Sequence, residues 1–132
     1  MTGVQTCALP IRTDALARSA RYLARDVGAT AVVAVTESGY TAGKVAKYRP
    51  SVPVMAATPN EGVRRRLALR WGVMPRHLPF IEGGAAELIE RAATESVAAG
   101  VADSGDTVVV LAGMMTELEG ARSEERRVGK EC

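Results

Sequence analysis

Apolar and polar positions alternate along the middle of this chain with two different periods, and the switches between them mark out its elements. From Asp14 to Val27 the apolar residues Leu16, Ala20, Leu23 and Val27 recur at helical spacing, with Thr13 or Asp14 placed to cap the start and Gly28 to stop the helix. Ala31 to Val35 is a continuous apolar run, as expected of a strand buried on both faces. Thr41 to Tyr48 suits a short helix that Arg49-Pro50 ends, and Val52 to Ala57 is a second strand with Pro53 near its start. Thr58-Pro59-Asn60-Glu61 reads as a capping hydroxyl followed by proline and an acid, opening a helix to about Arg70. Trp71 to Pro75 predicts a third strand and residues 75–82 a connection. Gly84 to Gly100 predicts a long helix with Ala85, Leu88, Ile89, Ala92, Ala93 and Val97 on one side, and Thr107 to Ala112 a fourth strand.

Strand and helix thus alternate four times, which predicts a three-layer α/β/α domain with a mostly parallel sheet. Ligands of such sheets gather beyond the carboxyl ends of the strands. Three segments lie there: Thr36 to Thr41, Thr58-Pro59-Asn60, and Ala112-Gly113-Met114.

Composition sharpens this picture mainly at the ends. The 132 residues suffice for one domain, and 47% hydrophobic with 24% charged residues is a globular balance. With aromatics at 4%, the core must be built from Ala, Val, Leu and Ile. No apolar run approaches the roughly 20 residues that cross a bilayer, so no membrane association is expected. Residues 1–11 (MTGVQTCALPI) and Arg122 to Cys132 (RSEERRVGKEC) resemble translated sequencing-adapter DNA, which sets residues 12–121 as the expected domain. Both cysteines, Cys7 and Cys132, fall in those ends, leaving no disulfide or metal argument. Without the tail, 13 basic and 12 acidic residues remain, and that balance gives no reason to expect nucleic acid as a partner.

The loop Thr36-Glu37-Ser38-Gly39-Tyr40-Thr41 carries the most suggestive chemistry. Its hydroxyls can donate, Gly39 permits close backbone approach, and the helix that follows offers free N–H groups at its positive end. The same residues equally suit a capped strand-to-helix turn. A Walker A loop is excluded, because Gly39 and Gly43 are separated by three residues and Lys44 is followed by Val45; the dinucleotide pattern G-x-G-x-x-G is absent too. Arg64-Arg65-Arg66 reads as a solvated helix face, Trp71 as packing, and Glu82, Glu87, Glu90 and Glu95 as exposed helix positions. His77, the one histidine, has no nucleophile arrangement around it, and no catalytic constellation stands out.

The segment Ala31 to Glu61, AVVAVTESGYTAGKVAKYRPSVPVMAATPNE, resembles the C-terminal domain of pyruvate kinase, with its T-x-S-G-x-[ST]-A loop, [KR]-Y-R-P helix end and T-P-N turn. Leu67 to Pro75 (LALRWGVMP) and Ser104 to Gly113 (SGDTVVVLAG) are similar to further segments of that family. The resemblance implies a regulatory rather than a catalytic role. The family's phosphoryl transfer from phosphoenolpyruvate to ADP, with Mg²⁺ and K⁺, takes place in a barrel of the full-length cytoplasmic enzyme, so this chain alone is expected to be inactive. It also implies an allosteric phosphorylated effector, a sugar phosphate or a nucleotide, held by Thr36, Glu37, Ser38, Gly39, Tyr40 and Thr41, and a homotetramer in the full-length protein. The likeness departs after Gly113: Met114 to Gly120 lacks the family's G-T-T-N-like turn, and the last strand is expected to be missing, with a sheet edge left unpaired. Two alternatives are a free-standing phosphometabolite-binding module and a structural oligomerisation domain without a ligand.

Overall fold

The computed structural model describes residues 2–79 and 83–112, with the backbone alone for residues 2–11. Four helices and four strands follow in the order α1 (Thr2–Asp26), β1 (Ala31–Val35), α2 (Tyr40–Lys47), β2 (Val54–Thr58), α3 (Glu61–Leu67), β3 (Val73–His77), α4 (Gly84–Ala98) and β4 (Val108–Ala112). The strands form one parallel sheet in the order β3-β2-β1-β4, with Val33 paired to Met55 on one side and to Val110 on the other. Chain direction reverses its progress across the sheet between β1 and β4, which puts the topological switch point beside the loop after β1. Among the described residues, no helix is long and apolar enough to cross a membrane.

Helices cover both faces. Val32, Val54 and Val109 meet Ala17, Ala20 and Ala24 of α1 and Val45 of α2, while Ala34 and Ala56 meet Ala42, Val63 and Leu67. Across the sheet, Val33, Val35, Met55 and Ala57 pack with Ala92 of α4 and with Leu78. All five residues of β1 and of β2 are buried, the pattern of central strands covered on both sides.

Several sequence expectations shift. Helix α1 begins at Thr2, so the adapter-like residues 2–11 continue the helix and neither Thr13 nor Asp14 caps it. Its buried face is Ala17, Ala20 and Ala24; of the expected apolar stripe only Ala20 is buried, and Leu16, Leu23 and Val27 are 58%, 49% and 47% exposed. The alanines let α1 lie close against α2 and the sheet, a separation that the larger side chains would prevent. On α4, Ala92 and Ser96 are buried, whereas Ala85, Ile89 and Val97 are exposed. Strand β2 starts at Val54, because Pro53 has no N–H for the ladder and contributes only its carbonyl, to the Val32 N–H at 2.9 Å. Strand β3 starts at Val73 and takes in Pro75, Arg76 and His77, since Gly72 turns the chain with φ 78°. Helix α3 ends at Leu67, short of Arg70, and its cap is Asn60, whose Oδ1 accepts the Val63 N–H at 3.0 Å. Thr58, expected as the cap, is the last residue of β2. The expectations for Gly113 to Gly120 and for a missing last strand lie outside the described residues.

Candidate functional site

The six loop residues extend β1 beyond its carboxyl end into α2. Thr36 carries the sheet ladder one residue further, its N–H donating to the Ala57 carbonyl at 2.9 Å. Its side chain turns inward, 3% exposed, and Oγ1 accepts the Gly39 N–H at 2.9 Å. Ser38 Oγ accepts the Tyr40 N–H at 3.3 Å. The chain then enters α2 through Gly39 at φ 89° and ψ −2°, a left-handed conformation that side chains other than glycine's resist. A Cβ at Gly39 would also stand 3.3 Å from both Leu67 Cδ2 and Val63 Cγ1. Packing of α3 under the loop therefore requires glycine at this point as much as the turn does.

These contacts divide the six residues. Thr36 and Gly39 are buried and shape the loop from inside. Glu37, Ser38 and Tyr40 face solvent, and Thr41 is half-buried in the first turn of α2. Of the first N–H groups of α2, at the positive end of the helix dipole, that of Tyr40 is taken by Ser38 Oγ. Lys44 adds a cation one turn on, with its ammonium 5.4 Å from the centre of the Tyr40 ring.

Neighbouring strand ends frame this loop. Thr58, fully buried, accepts the Asn60 N–H on Oγ1 at 3.2 Å, which holds the turn into α3. His77, at the end of β3, has Nε2 3.1 Å from the Pro59 carbonyl, a bond made when that nitrogen carries the proton. Histidine here is tied to the turn rather than presented to a reacting group. Among the described residues, no three or more His, Cys, Asp or Glu side chains come together to hold a metal ion.

Two clusters escaped the sequence reading. Asp14, expected only as a helix cap, receives the Tyr48 hydroxyl on Oδ2, while Oδ1 is buried without a hydrogen bond, 3.7 Å from Lys44 Nζ and 3.6 Å from Lys47 Nζ. The Tyr48 bond holds the Asp14 carboxyl below its ordinary pKa, partly opposed by burial and helped by the two ammonium groups, and raises the Tyr48 phenol in turn. This link ties α1 to the end of α2. Elsewhere, Trp71 is 70% exposed rather than packed inside, and it borders a basic groove with Arg49, Arg66 and Arg70. In the arginine run, Arg64 and Arg65 pair with Glu61 at 2.5 Å and 3.6 Å, and Arg66 is exposed on the same helix, where it borders the groove. The double hydrogen bond from Arg64 lowers the Glu61 pKa to about 2.

A four-stranded parallel sheet with helices on both faces and a glycine-turned loop at its switch point defines a small α/β domain of the doubly wound kind. The family model described as "Pyruvate kinase, alpha/beta domain" matches residues 14–123, and the chain belongs to that family. Pyruvate kinase of Clostridium acetobutylicum is 43% identical over 97 residues, covering 74% of this chain and 20% of the relative. That of Geobacillus stearothermophilus is 41% identical over 102 residues, 77% of this chain and 17% of the relative. Among solved structures, a Cryptosporidium parvum pyruvate kinase superposes with a TM-score of 0.70 at 33% identity, over 76% of this chain and 20% of that one. Cryptosporidium parvum pyruvate kinase in complex with ADP gives 0.70 at 32% identity, over 82% and 21%. The chain therefore spans about a fifth of the length of these relatives.

Proposed function

We propose that this chain is the regulatory C-terminal part of a pyruvate kinase, and that its Thr36 to Thr41 loop seats the phosphate of an allosteric effector. The observation that carries this reading is the loop's own geometry. Gly39 turns the chain so that the start of α2 faces outward at the switch point, with the Ser38 and Thr41 hydroxyls beside it. Thr36 and Gly39 preorganise the seat, while Ser38, Thr41 and the first N–H groups of α2 make the contacts. The effector is a sugar phosphate or a nucleotide. Glu37 bears a like charge and is turned to solvent, where it disfavours ligands of excess negative charge.

The phosphoryl transfer from phosphoenolpyruvate to ADP, and its Mg²⁺ and K⁺, belong on this reading to the remaining four-fifths of a cytoplasmic, tetrameric enzyme. Effector binding regulates that enzyme through different affinities for two states of the assembly, so this chain alone binds without turnover. Titrating it with a hexose bisphosphate and with AMP while following the amide resonances of Ser38 to Thr41 tests the seat. Replacing Ser38 and Thr41 together by Ala is expected to weaken binding by roughly 1–3 kcal/mol through lost charge-assisted bonds. Unmoved amides with both ligands would reduce the loop to a structural turn.

A further inference from the structure

The opposite end of the sheet carries a second concavity, formed where α2 and α3 finish. It has a volume of about 650 Å³ and is bordered by Lys47 and Arg49 at the end of α2, by Arg66 and Arg70 from α3 and the turn beyond it, and by Trp71. A smaller recess of about 180 Å³ adjoins it and shares Arg49 and Trp71. Among the described residues, four cations border the groove and no carboxylate does. Lys47 is shared with Asp14, but neither Arg66 nor Arg70 has a carboxylate within ion-pair distance among the described residues.

Three details describe how Arg49, Trp71 and Arg70 are set around the groove. Arg49 has φ 47°, the one positive value outside glycine among the described residues, and this left-handed turn just past the C-cap Tyr48 ends α2. Its guanidinium lies 4.6 Å from the centre of the Trp71 ring. The Arg70 guanidinium rests against α2 at Gly43, where a Cβ would come within 3.2 Å of Cζ, so the missing side chain gives it a seat. Cations near a helix C-terminus answer the helix dipole, and Lys44 and Lys47 stand in the last turn of α2 as Arg64, Arg65 and Arg66 do in that of α3. The dipole does not account for an indole left 70% exposed above a groove of this size.

We propose that this groove binds a nucleoside phosphate, its phosphates between Arg66 and Arg70 and its base against Trp71. Guanidinium forks match phosphate oxygens in pairs, and a flat indole accepts any base face. The site is separate from the Thr36 to Thr41 loop, since α2 runs between them and its eight residues span about 12 Å.

Trp71 is the single tryptophan of the chain, so its fluorescence reports on the groove directly. The intact 132-residue chain is titrated with ADP, and with inorganic tripolyphosphate as the base-free probe, at fixed ionic strength. Saturable quenching by ADP is expected, with tripolyphosphate quenching far less. Arg66→Gln with Arg70→Gln should weaken ADP binding about tenfold or more, and Arg66→Lys with Arg70→Lys by less. Circular dichroism of each variant checks that both retain the fold. Arg21→Gln with Arg25→Gln, on α1 beside Tyr22, removes two cations that do not border the groove and should leave the quenching curve within about twofold, while Ser38→Ala with Thr41→Ala distinguishes the loop from the groove. Absence of saturable quenching overturns the proposal, as does an equal response to tripolyphosphate. Loss of quenching in the Ser38 and Thr41 variant with retention in the Arg66 and Arg70 variant also overturns it, and assigns nucleotide binding to the loop instead. Failure of the groove leaves the loop reading intact, because the amide shifts of Ser38 to Thr41 are a separate measurement.

Discussion

Replacing Gly39 by Ala tests whether the loop after β1 is fixed by backbone conformation and packing together. Two costs add. A residue with a Cβ at φ 89° sits in the left-handed region at a cost of about 1–2 kcal/mol, offset in part because Ala also restricts the unfolded chain by about 0.4–1 kcal/mol. The new Cβ then meets Leu67 Cδ2 and Val63 Cγ1 at 3.3 Å, and both side chains are buried, at 5% and 3% exposure, so they have little room to give. Crowding of that kind in a packed core costs about 1–3 kcal/mol. The sum spans about 1–4.5 kcal/mol and centres near 3 kcal/mol. Gly28 supplies the control, because at φ 65° a Cβ there would meet no atom within 4 Å, and Gly28→Ala should cost about 1 kcal/mol or less. Urea unfolding followed by far-ultraviolet circular dichroism measures both variants. In a thermal melt, the Gly39 variant should fall by about 6–15 °C for a domain of this size. If Gly39→Ala proves no more costly than Gly28→Ala, the contact with α3 does not shape the loop and the reasoning fails.

Other expectations follow from single contacts. Glu61 titrates at about 2 in the folded chain against an ordinary 4.5, so its contribution to stability is complete above pH about 4.5 and is lost as the pH falls toward 2. Carbon NMR of the Glu61 carboxyl should show that midpoint, and Arg64→Ala should return it toward 4.5; an unchanged midpoint would assign the shift to another group. Tyr48→Phe should raise the Asp14 carboxyl titration toward its ordinary value, since the phenol is the largest influence lowering it. If the midpoint stays where it was, Lys44 and Lys47 hold the carboxylate by themselves. Met55→Ala, at a fully buried site, should cost about 2–5 kcal/mol in urea unfolding, while Met74→Ala on the edge strand, 44% exposed, should cost under about 1 kcal/mol. Gly43→Ala should stabilise the middle of α2 by about 0.5–1 kcal/mol, because only the mobile end of Arg70 has to move aside. Destabilisation by that change would mean that the Arg70 guanidinium cannot leave its seat.

The central strands are the most legible part of the fold. Ala31 to Val35 can be read to the residue, because five apolar side chains in a row leave only a strand covered on both sides. Boundaries fail where an apolar side chain stands beside a residue that cannot pair. Val52 and Trp71 look like strand residues, yet Pro53 lacks an N–H and Gly72 turns the chain, so β2 and β3 each begin two residues later. The buried face of α1 is illegible for a different reason. Leu16, Leu23 and Val27 and the rival set Ala17, Ala20 and Ala24 both follow helical spacing, and the choice between them depends on how closely α2 approaches. Hydropathy favours the larger side chains, whereas close packing of helix on helix favours the smaller.

The same distinction separates the two candidate sites. Thr36 to Thr41 is one continuous segment, and its hydroxyls, its glycine and the helix it opens all follow from residues within six positions of one another. A local motif of that kind can be read without knowing the fold, although the inward turn of Thr36 onto the Gly39 N–H could not. The basic groove has no such signature. Lys47 and Arg49 close one crossover connection, Arg66 and Arg70 the next, and each pair by itself looks like the solvated end of a short helix. They face one another because β1-α2-β2 and β2-α3-β3 carry both helices over the same face of the sheet and return them to the same end. Gly43 then allows Arg70 to settle against α2, and Trp71 is left outside because the turn at Gly72 directs β3 into the sheet one residue after it. Charge concentrated in this way is a product of topology, so it becomes visible only when the crossovers are in place.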